Sequence, residues 1–403
     1  MIIILDLNSN EIINEMNRIG VHSTGISIMS PKAEFRIIKI KDVPVVSANI
    51  IKQDMLSFGG EAATAHGTID HSVKTTDVLI FGTKLQIRNL ISKLKLQYFG
   101  LRKLASKVDE VLENYDGIPS PIKVKGKTFN FGRRTYIMGI LNITPDSFSD
   151  GGRYISFSDA VKHGKEMLEQ GADMIDIGGE STRPGAKPVY AKEEINRVIP
   201  VISALKRTGA VISIDTTKSI VAEAAIKAGA SMINDISALK GDRKMAKVAA
   251  KYKVPVVLMH MQGKPRTMQK NPKYKDLIPD IISYLQNSIG LAIKGGVLKE
   301  KLIVDPGFGF GKTVAHNIEI LRNLKAFKVL GCPILIGTSR KSTIGRILNL
   351  PPEERLEGTA ATVTAAISAG ANIIRVHDVE QMARVAKMSD FIYKTTEQER
   401  EIS

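Results

Sequence analysis

The amino-acid sequence predicts an α/β chain: a (β/α)8 TIM barrel preceded by a smaller α/β or α+β domain. Three observations carry that expectation. From Tyr136 onward, eight short apolar runs alternate with amphipathic helical stretches, the count and order of such a barrel. Each run ends in polar or charged residues. One helix-to-strand corner also recurs, as GADMID (Gly171–Asp176), GASMIND (Gly229–Asp235) and GANIIR (Gly370–Arg375), with GAVISID (Gly209–Asp215) one residue longer. The spacing between runs is irregular, which excludes a solenoid.

The elements follow in order. In residues 1–115, Met1–Leu7 and Val78–Phe81 read as strands, and Glu11–Ile19, Ala48–Phe58, Lys84–Leu96 and Leu101–Leu112 as helices. Residues 116–121 read as a linker, because the prolines of Ile118-Pro119-Ser120-Pro121 interrupt regular structure. The barrel is expected over 122–398. It opens with Lys123–Phe131 (KVKGKTFNF), a hairpin that would plug the barrel floor. Its strands are expected at Tyr136–Asn142, Met174–Ile177, Val211–Asp215, Met232–Asn234, Pro255–His260, Leu302–Asp305, Pro333–Gly337 and Ile373–His377. Helices at Asp159–Gln170, Lys218–Ala228 and Leu356–Ala369 stop at Gly171, Gly229 and Gly370, each suited to a left-handed C-cap.

Composition narrows the class. The chain has 403 residues, comfortable for two domains, and 43% hydrophobic residues, enough for a sizeable core. No run of 18 apolar residues occurs, and MIIILDL is too short for a signal-peptide core. The expectation is a cytoplasmic protein with no membrane partner. The single cysteine, Cys332, excludes an internal disulfide and a thiolate zinc cage. It opens the apolar run CPILIG and reads as a small buried residue. The net charge is +16, with 19 Lys and Arg against 13 Asp and Glu in residues 1–134 and 38 against 28 beyond. The excess is spread along the chain, Trp is absent and aromatics are 5%, a poor match to a nucleic-acid binder. A preference for anionic small molecules fits better.

The ends of the runs carry the chemistry. They are Asn142, Asp176, Asp215, Asn234 with Asp235, His260, Asp305, the Ser339-Arg340-Lys341 turn, and Arg375 with His377. Barrel enzymes keep their sites at the C-terminal ends of the strands. Asp215, Asn234, Asp305 and Lys341 suit a flat heterocycle, since a carboxylate accepts paired N–H bonds and a lysine donates to a ring carbonyl. Arg183, Arg375 and His377, with Asn142, suit a diphosphate. Asn142 offers a hard carbonyl oxygen to Mg²⁺, an ion commonly held by few protein ligands plus substrate phosphates.

Six segments then resemble, in order and spacing, the motifs of the dihydropteroate synthases: MGILNITPDSFSDGG (Met138–Gly152), IDIGGESTRPGA (Ile175–Ala186), SIDTTKS (Ser213–Ser219), IND (Ile233–Asp235), DPGFGFGK (Asp305–Lys312) and GTSRKS (Gly337–Ser342). RVHD (Arg375–Asp378) closes the set. The resemblance implies a transferase that joins a dihydropterin methyl diphosphate to an arylamine. It implies that Asp176, Asp215, Asn234, Asp305 and Lys341 hold the pterin. Asn142, Arg183, Arg375 and His377 would take the diphosphate and Mg²⁺, and Thr182, Phe310 and Ser339 would line the arylamine pocket. Asp146 on the first loop, Arg183 and Lys341 would act on the reacting atoms. Loops Ile143–Tyr154 and Gly178–Pro188 would close over the site. A homodimer through barrel helices is implied by analogy. Three reactions are compatible with the resemblance: use of para-aminobenzoate, use of a ribosylated aminobenzene phosphate as in tetrahydromethanopterin assembly, and methyl transfer to a corrinoid protein. The diphosphate set argues against the last.

Other motifs carry less. DPGFGFGKT resembles a phosphate loop, but Pro306 stands where the signature needs glycine. His22, His163 and His316 read as surface or packing residues. His260 could line the site or finish its strand, and Arg340 could brace its loop. Glu61, His66, Asp70 and His71 match no standard metal spacing and read as turn chemistry.

Overall fold

A computed structural model describes residues 2–144, 156–181, 186 and 188–394. The chain divides into two compact units, Met1–Glu113 and Asn114–Ser403.

The first unit contains an antiparallel sheet of three strands, β1 (Phe35–Pro44), β2 (Glu61–Ala63) and β3 (Thr75–Thr83), in the order β1-β3-β2. It is therefore α+β in type. Helices Val45–Ser57, Lys84–Leu94 and Leu101–Asp116 contribute Ile51, Met55, Ile87, Leu90, Leu101 and Leu112 to a core with Val43, Val78 and Ile80.

One expectation fails here. Residues 2–7 form no strand. Asn8 caps the helix Ser9–Ile19 instead, its side chain accepting from the Asn10 and Glu11 amides while Glu11 accepts from the Asn8 amide. The strand forms at β1, where Ile38-Lys39-Ile40-Lys41 alternates and so turns Ile38 and Ile40 toward the core. MIIIL is apolar on both faces and would need cover on both sides.

The second unit is a closed parallel barrel. Its strands are β6 (Tyr136–Asn142), β7 (Met174–Gly178), β8 (Val211–Asp215), β9 (Met232–Asp235), β10 (Val256–Met259), β11 (Leu302–Asp305), β12 (Leu335–Ile336) and β13 (Ile373–Val376). They pair in the order β11-β10-β9-β8-β7-β6-β13-β12, and a parallel bridge between Val304 and Ile334 closes the ring. Before them, β4 (Ile122–Val124) and β5 (Lys127–Phe129) form the hairpin, turning at Lys125 and Gly126 with φ of 49° and 75°.

Strand periodicity explains the interior. Ile122, Val124, Phe129 and Phe131 pack with Tyr136, Met138, Met174, Val211, Met232, Val257, Ile303, Leu335 and Ile373, at least one residue from each barrel strand. That layer is the floor, shut from below by the hairpin. Alternate residues such as Ile175, Ile212, Ile233, Val304 and Ile374 belong instead to the large core with the surrounding helices. Two positions past the floor, the inward side chains are therefore Asp176, Ser213, Asn234, Met259, Asp305 and Arg375. The fold builds an apolar floor and lays polar groups directly on it.

Candidate active site

That polar layer is closely connected. Arg375 donates from Nε to Asp176 Oδ2 at 2.6 Å and from Nη2 to Asp215 Oδ2 at 2.9 Å. Asn234 Nδ2 donates to Asp176 Oδ2 at 2.8 Å. Asp176 is fully buried, and its Oδ1 and the Ser213 hydroxyl have no hydrogen-bond partner among the described residues. Buried polar atoms of this kind call for a polar ligand. Across the mouth, Asp305 Oδ1 accepts from the Gly307 amide at 2.7 Å. Lys341 donates to the Phe308 carbonyl, with its Nζ 4.6 Å from the centroid of the Phe310 ring.

Burial sets the electrostatics. It raises Asp215 to about 7, against the pull of Arg375, with Asp176, Glu194 and Asp235 adding to the rise. It raises Asp305 as well, opposed by Lys341. Burial lowers Lys341 to about 8, while Asp305 works the other way. The site thus holds one carboxylate, Asp215, and one ammonium, Lys341, whose charges respond near neutral pH.

The glycine loop after β11 is shaped by close approach. At Gly307 φ is 71°, and a Cβ would lie 1.8 Å from the His260 carbonyl oxygen, so only glycine fits. His260 is itself packed. Its Nδ1 lies 2.9 Å from Lys312 Nζ, and its ring meets Tyr284 edge-on at 4.6 Å. Burial and the Lys312 charge hold its imidazole down to about 2. His260 is a strand-end residue behind the loop. Lys312 also donates to the Phe310 carbonyl at 3.0 Å, so this buried lysine holds the loop's far end.

On the β12–β13 side, the Ser339 hydroxyl lies 3.0 Å from His377 Nδ1 and accepts from the His377 amide. Arg340, with φ of 54°, forms a two-pronged contact with Asp378 and donates its amide to Thr359. It braces the turn. Asn142 ends β6 opposite Gly178, which pairs in turn with Asp215.

The structure thus groups Asp176, Asp215, Asn234 and Arg375, sets Asp305, Phe310 and Lys341 together, and pairs Ser339 with His377. Asp146, Thr182 and Arg183 lie outside the described residues. Sequence reading missed Lys312, which lay in plain view inside the rejected phosphate-loop motif. Elsewhere, His22 and Thr313 with His316 serve helix caps, and Asp70 accepts from the Ser72 amide in a turn. Cys332 is buried and its thiol is pushed up to about 12. No described helix is long and apolar enough to cross a membrane.

Fold and site together define a barrel enzyme for a polar ring, and the comparisons name the class. Residues 138–377 match the family described as pterin binding enzyme. A dihydropteroate synthase of Clostridium beijerinckii is 54% identical over 275 residues, covering 68% of this chain and all of that one. The crystal structure of a Clostridium difficile dihydropteroate synthase in the presence of pteroic acid superposes with a TM-score of 0.62 at 50% identity, covering 66% of this chain and all of that one. A probable bifunctional folylpolyglutamate synthase/dihydropteroate synthase of Halobacterium salinarum is 39% identical over 375 residues, 93% of this chain and 45% of its own. That match is longer than the barrel unit and extends into the first unit. The chain belongs to the dihydropteroate synthase family.

Proposed function

We propose that the barrel joins dihydropterin methyl diphosphate to para-aminobenzoate and releases diphosphate, the transferase step of folate biosynthesis. The observation that carries this reading is the polar layer on the barrel floor, where Asp176, Asn234, Asp305 and Arg375 converge with Asp215 and Lys341 above them. Pteroic acid, present with the Clostridium difficile relative, is a pterin joined to aminobenzoate, which supports that acceptor over a ribosylated one.

Each residue has a role in this reading. Asp215 and Asp305 accept ring N–H groups, and Lys341 donates to a ring carbonyl or nitrogen. Asp176 fixes Arg375 and Asn234 while offering its second oxygen to the ring. The bond from the methylene to the diphosphate oxygen breaks ahead of C–N bond formation, and the arylamine then loses a proton. Arg375, His377 and Arg183 stabilise the departing charge, with Asp146 assisting at the methylene. Phe310, Thr182 and Ser339 line the arylamine side. No covalent bond to the enzyme is required.

Asn142 supplies one oxygen of the kind Mg²⁺ accepts, and no group of three His, Cys, Asp or Glu able to hold a metal occurs among the described residues. The residues fit an ion carried in by the diphosphate, held by Asn142 and phosphate oxygens, where it would neutralise leaving-group charge. The protein is read as a cytoplasmic homodimer, by analogy with its family. Mass spectrometry of the product formed from the pterin diphosphate and each candidate amine tests the reaction. A dihydropteroate mass with para-aminobenzoate is expected. Product only with a ribosylated aminobenzene phosphate overturns the acceptor, and no displacement with either overturns the reaction.

A further inference from the structure

The glycine loop after β11 and the turn after β12 are joined by one buried side chain that the chemistry above leaves unused. Asn317, on helix Val314–Arg322, accepts from the Gly309 amide through Oδ1 at 2.8 Å and donates from Nδ2 to the Thr343 hydroxyl, also at 2.8 Å. Thr343 is buried as well and lies on helix Ser342–Leu348, whose N-cap is Lys341. An asparagine can make both bonds because its planar amide carries an acceptor and donors together. Gly309 is held a second time at its carbonyl, which accepts from Gln269 Nε2 at 2.6 Å. Lys341 then runs along the same glycine. At Gly309 φ is 84°, and a Cβ there would lie 2.8 Å from Lys341 Cδ. The ammonium beyond donates to the carbonyl of Phe308 and stands 4.6 Å from the centroid of the Phe310 ring, the residues on either side of that glycine.

We propose that Asn317 is a positioning residue that ties the glycine loop to the Lys341 turn and so fixes the Lys341 ammonium where the pterin ring is to be met. The clause about pterin rests on the function proposed above. The contacts form a closed ring. Lys341 takes its place from residues 308–310, Gly309 takes its place from Asn317, and Asn317 bonds back through Thr343 to the helix that Lys341 begins. A long lysine stem has much rotamer freedom, and a loop free to shift would leave its ordering to the moment of binding. Closing the ring orders the stem beforehand. Both polar atoms of Asn317 are used on the chain itself, so it acts through Lys341 and does not touch substrate.

Thr343 is the best point of attack, because Thr343→Val deletes the hydroxyl with little change of shape and leaves Asn317 in place. Thr343→Ser keeps the hydroxyl. Amide hydrogen exchange on the ligand-free chain tests the tie with no assumption about substrate. Exchange at Gly309 should quicken about tenfold in Thr343→Val, the order of one lost buried hydrogen bond, with the barrel strands unchanged and Thr343→Ser close to wild type. Unchanged exchange at Gly309 overturns the proposal. Calorimetry with the hydroxymethyl pterin across pH then reads the consequence at Lys341. Burial is what lowers Lys341 to about 8, and the charges acting on it, Asp305, Arg375 and Asp215, are untouched by the substitution. A loosened ring lets water reach the ammonium, so in Thr343→Val the alkaline fall in affinity should move to higher pH, by about half a unit or more. Thr343→Ser should keep the wild-type profile. Affinity weakened equally at every pH, with the alkaline fall unmoved, would mean general structural support and overturn the positioning claim. Failure of the wild-type chain to bind the pterin at any pH would sink the proposed function and the clause resting on it, and the exchange result would still decide whether Asn317 ties the loop to the turn.

Discussion

The two units of this chain solve the same packing problem with opposite consequences for function. In the first unit an antiparallel sheet is covered by helices, and its inward side chains are Val43, Val78, Ile80 and their apolar neighbours, with the uncharged Thr76 beside them. In the barrel the inward side chains change character within two residues, from the floor of Met174, Met232, Ile303 and Ile373 to Asp176, Asn234, Asp305 and Arg375. A closed barrel can hold charge inside because it can present acids and a base to one another. Asp176 and Asp215 share Arg375, and neither is left without a counter-charge. Among the described residues of the first unit, the buried carboxylates Asp54 and Glu34 are paired with Lys93 and Arg36.

The sharpest way to break this comparison is to alter the charged layer. Asp215→Asn keeps the shape, removes the charge that answers Arg375, and swaps an acceptor for donors. We expect a loss of about 2–4 kcal/mol of transition-state stabilisation, read as kcat/KM. Wild-type turnover would remove Asp215 from the site.

pH should move activity next. Asp215, raised to about 7, loses its acceptor charge as pH falls through that value, and Lys341, lowered to about 8, loses its donor charge as pH rises through that one. Pterin affinity should therefore be greatest between about 7 and 8 and fall on both sides. Lys341→Arg, which stays charged, should abolish the alkaline limb even if affinity drops. An affinity flat from pH 6 to pH 9 would contradict both assignments.

His377→Ala separates anion from ring. Binding of the pterin diphosphate should weaken roughly tenfold, as expected for loss of a hydrogen bond to a charged group, while the hydroxymethyl pterin is barely affected. Arg375→Ala should weaken both, because it strands Asp176 and Asp215 as buried carboxylates. If His377→Ala also weakens both equally, His377 serves the fold through Ser339 and not the diphosphate.

Much of this was legible before the structure. The eight runs and the polar residue ending each were readable because short apolar runs and the residues that end them are local signals. The floor hairpin was readable from KVKGKTFNF for the same reason. Pairings between distant residues were not. Nothing local marks Arg375 as the partner of Asp176, 199 positions away, or Lys218 as that of Glu194. Lys312 carries no local mark either, since DPGFGFGKT fails as a phosphate loop and its partner His260 lies 52 positions away. In the first unit, β1 is hard to read because only Ile38-Lys39-Ile40-Lys41 alternates, Phe35 and Ile37 facing water, and the bulge between Ile40 and Val43 hides its second half. Residues 2–7 have the apolar content of a strand, but cover on both faces is a tertiary property that apolar content does not reveal.

The central claim is that the pterin site belongs to the barrel alone. Every residue given a role lies after position 135, and the helix Leu101–Asp116 leads into a segment without regular structure before β4. A chain beginning at Ser120 retains the whole barrel and its floor hairpin. Calorimetric titration of that shortened chain with the pterin methyl diphosphate, beside the full chain, tests the claim most directly. The account predicts the same affinity within about a factor of two, the span of a few tenths of a kcal/mol expected for sites that do not interact. A soluble, folded shortened chain that binds no pterin would contradict it and place part of the site in residues 1–119.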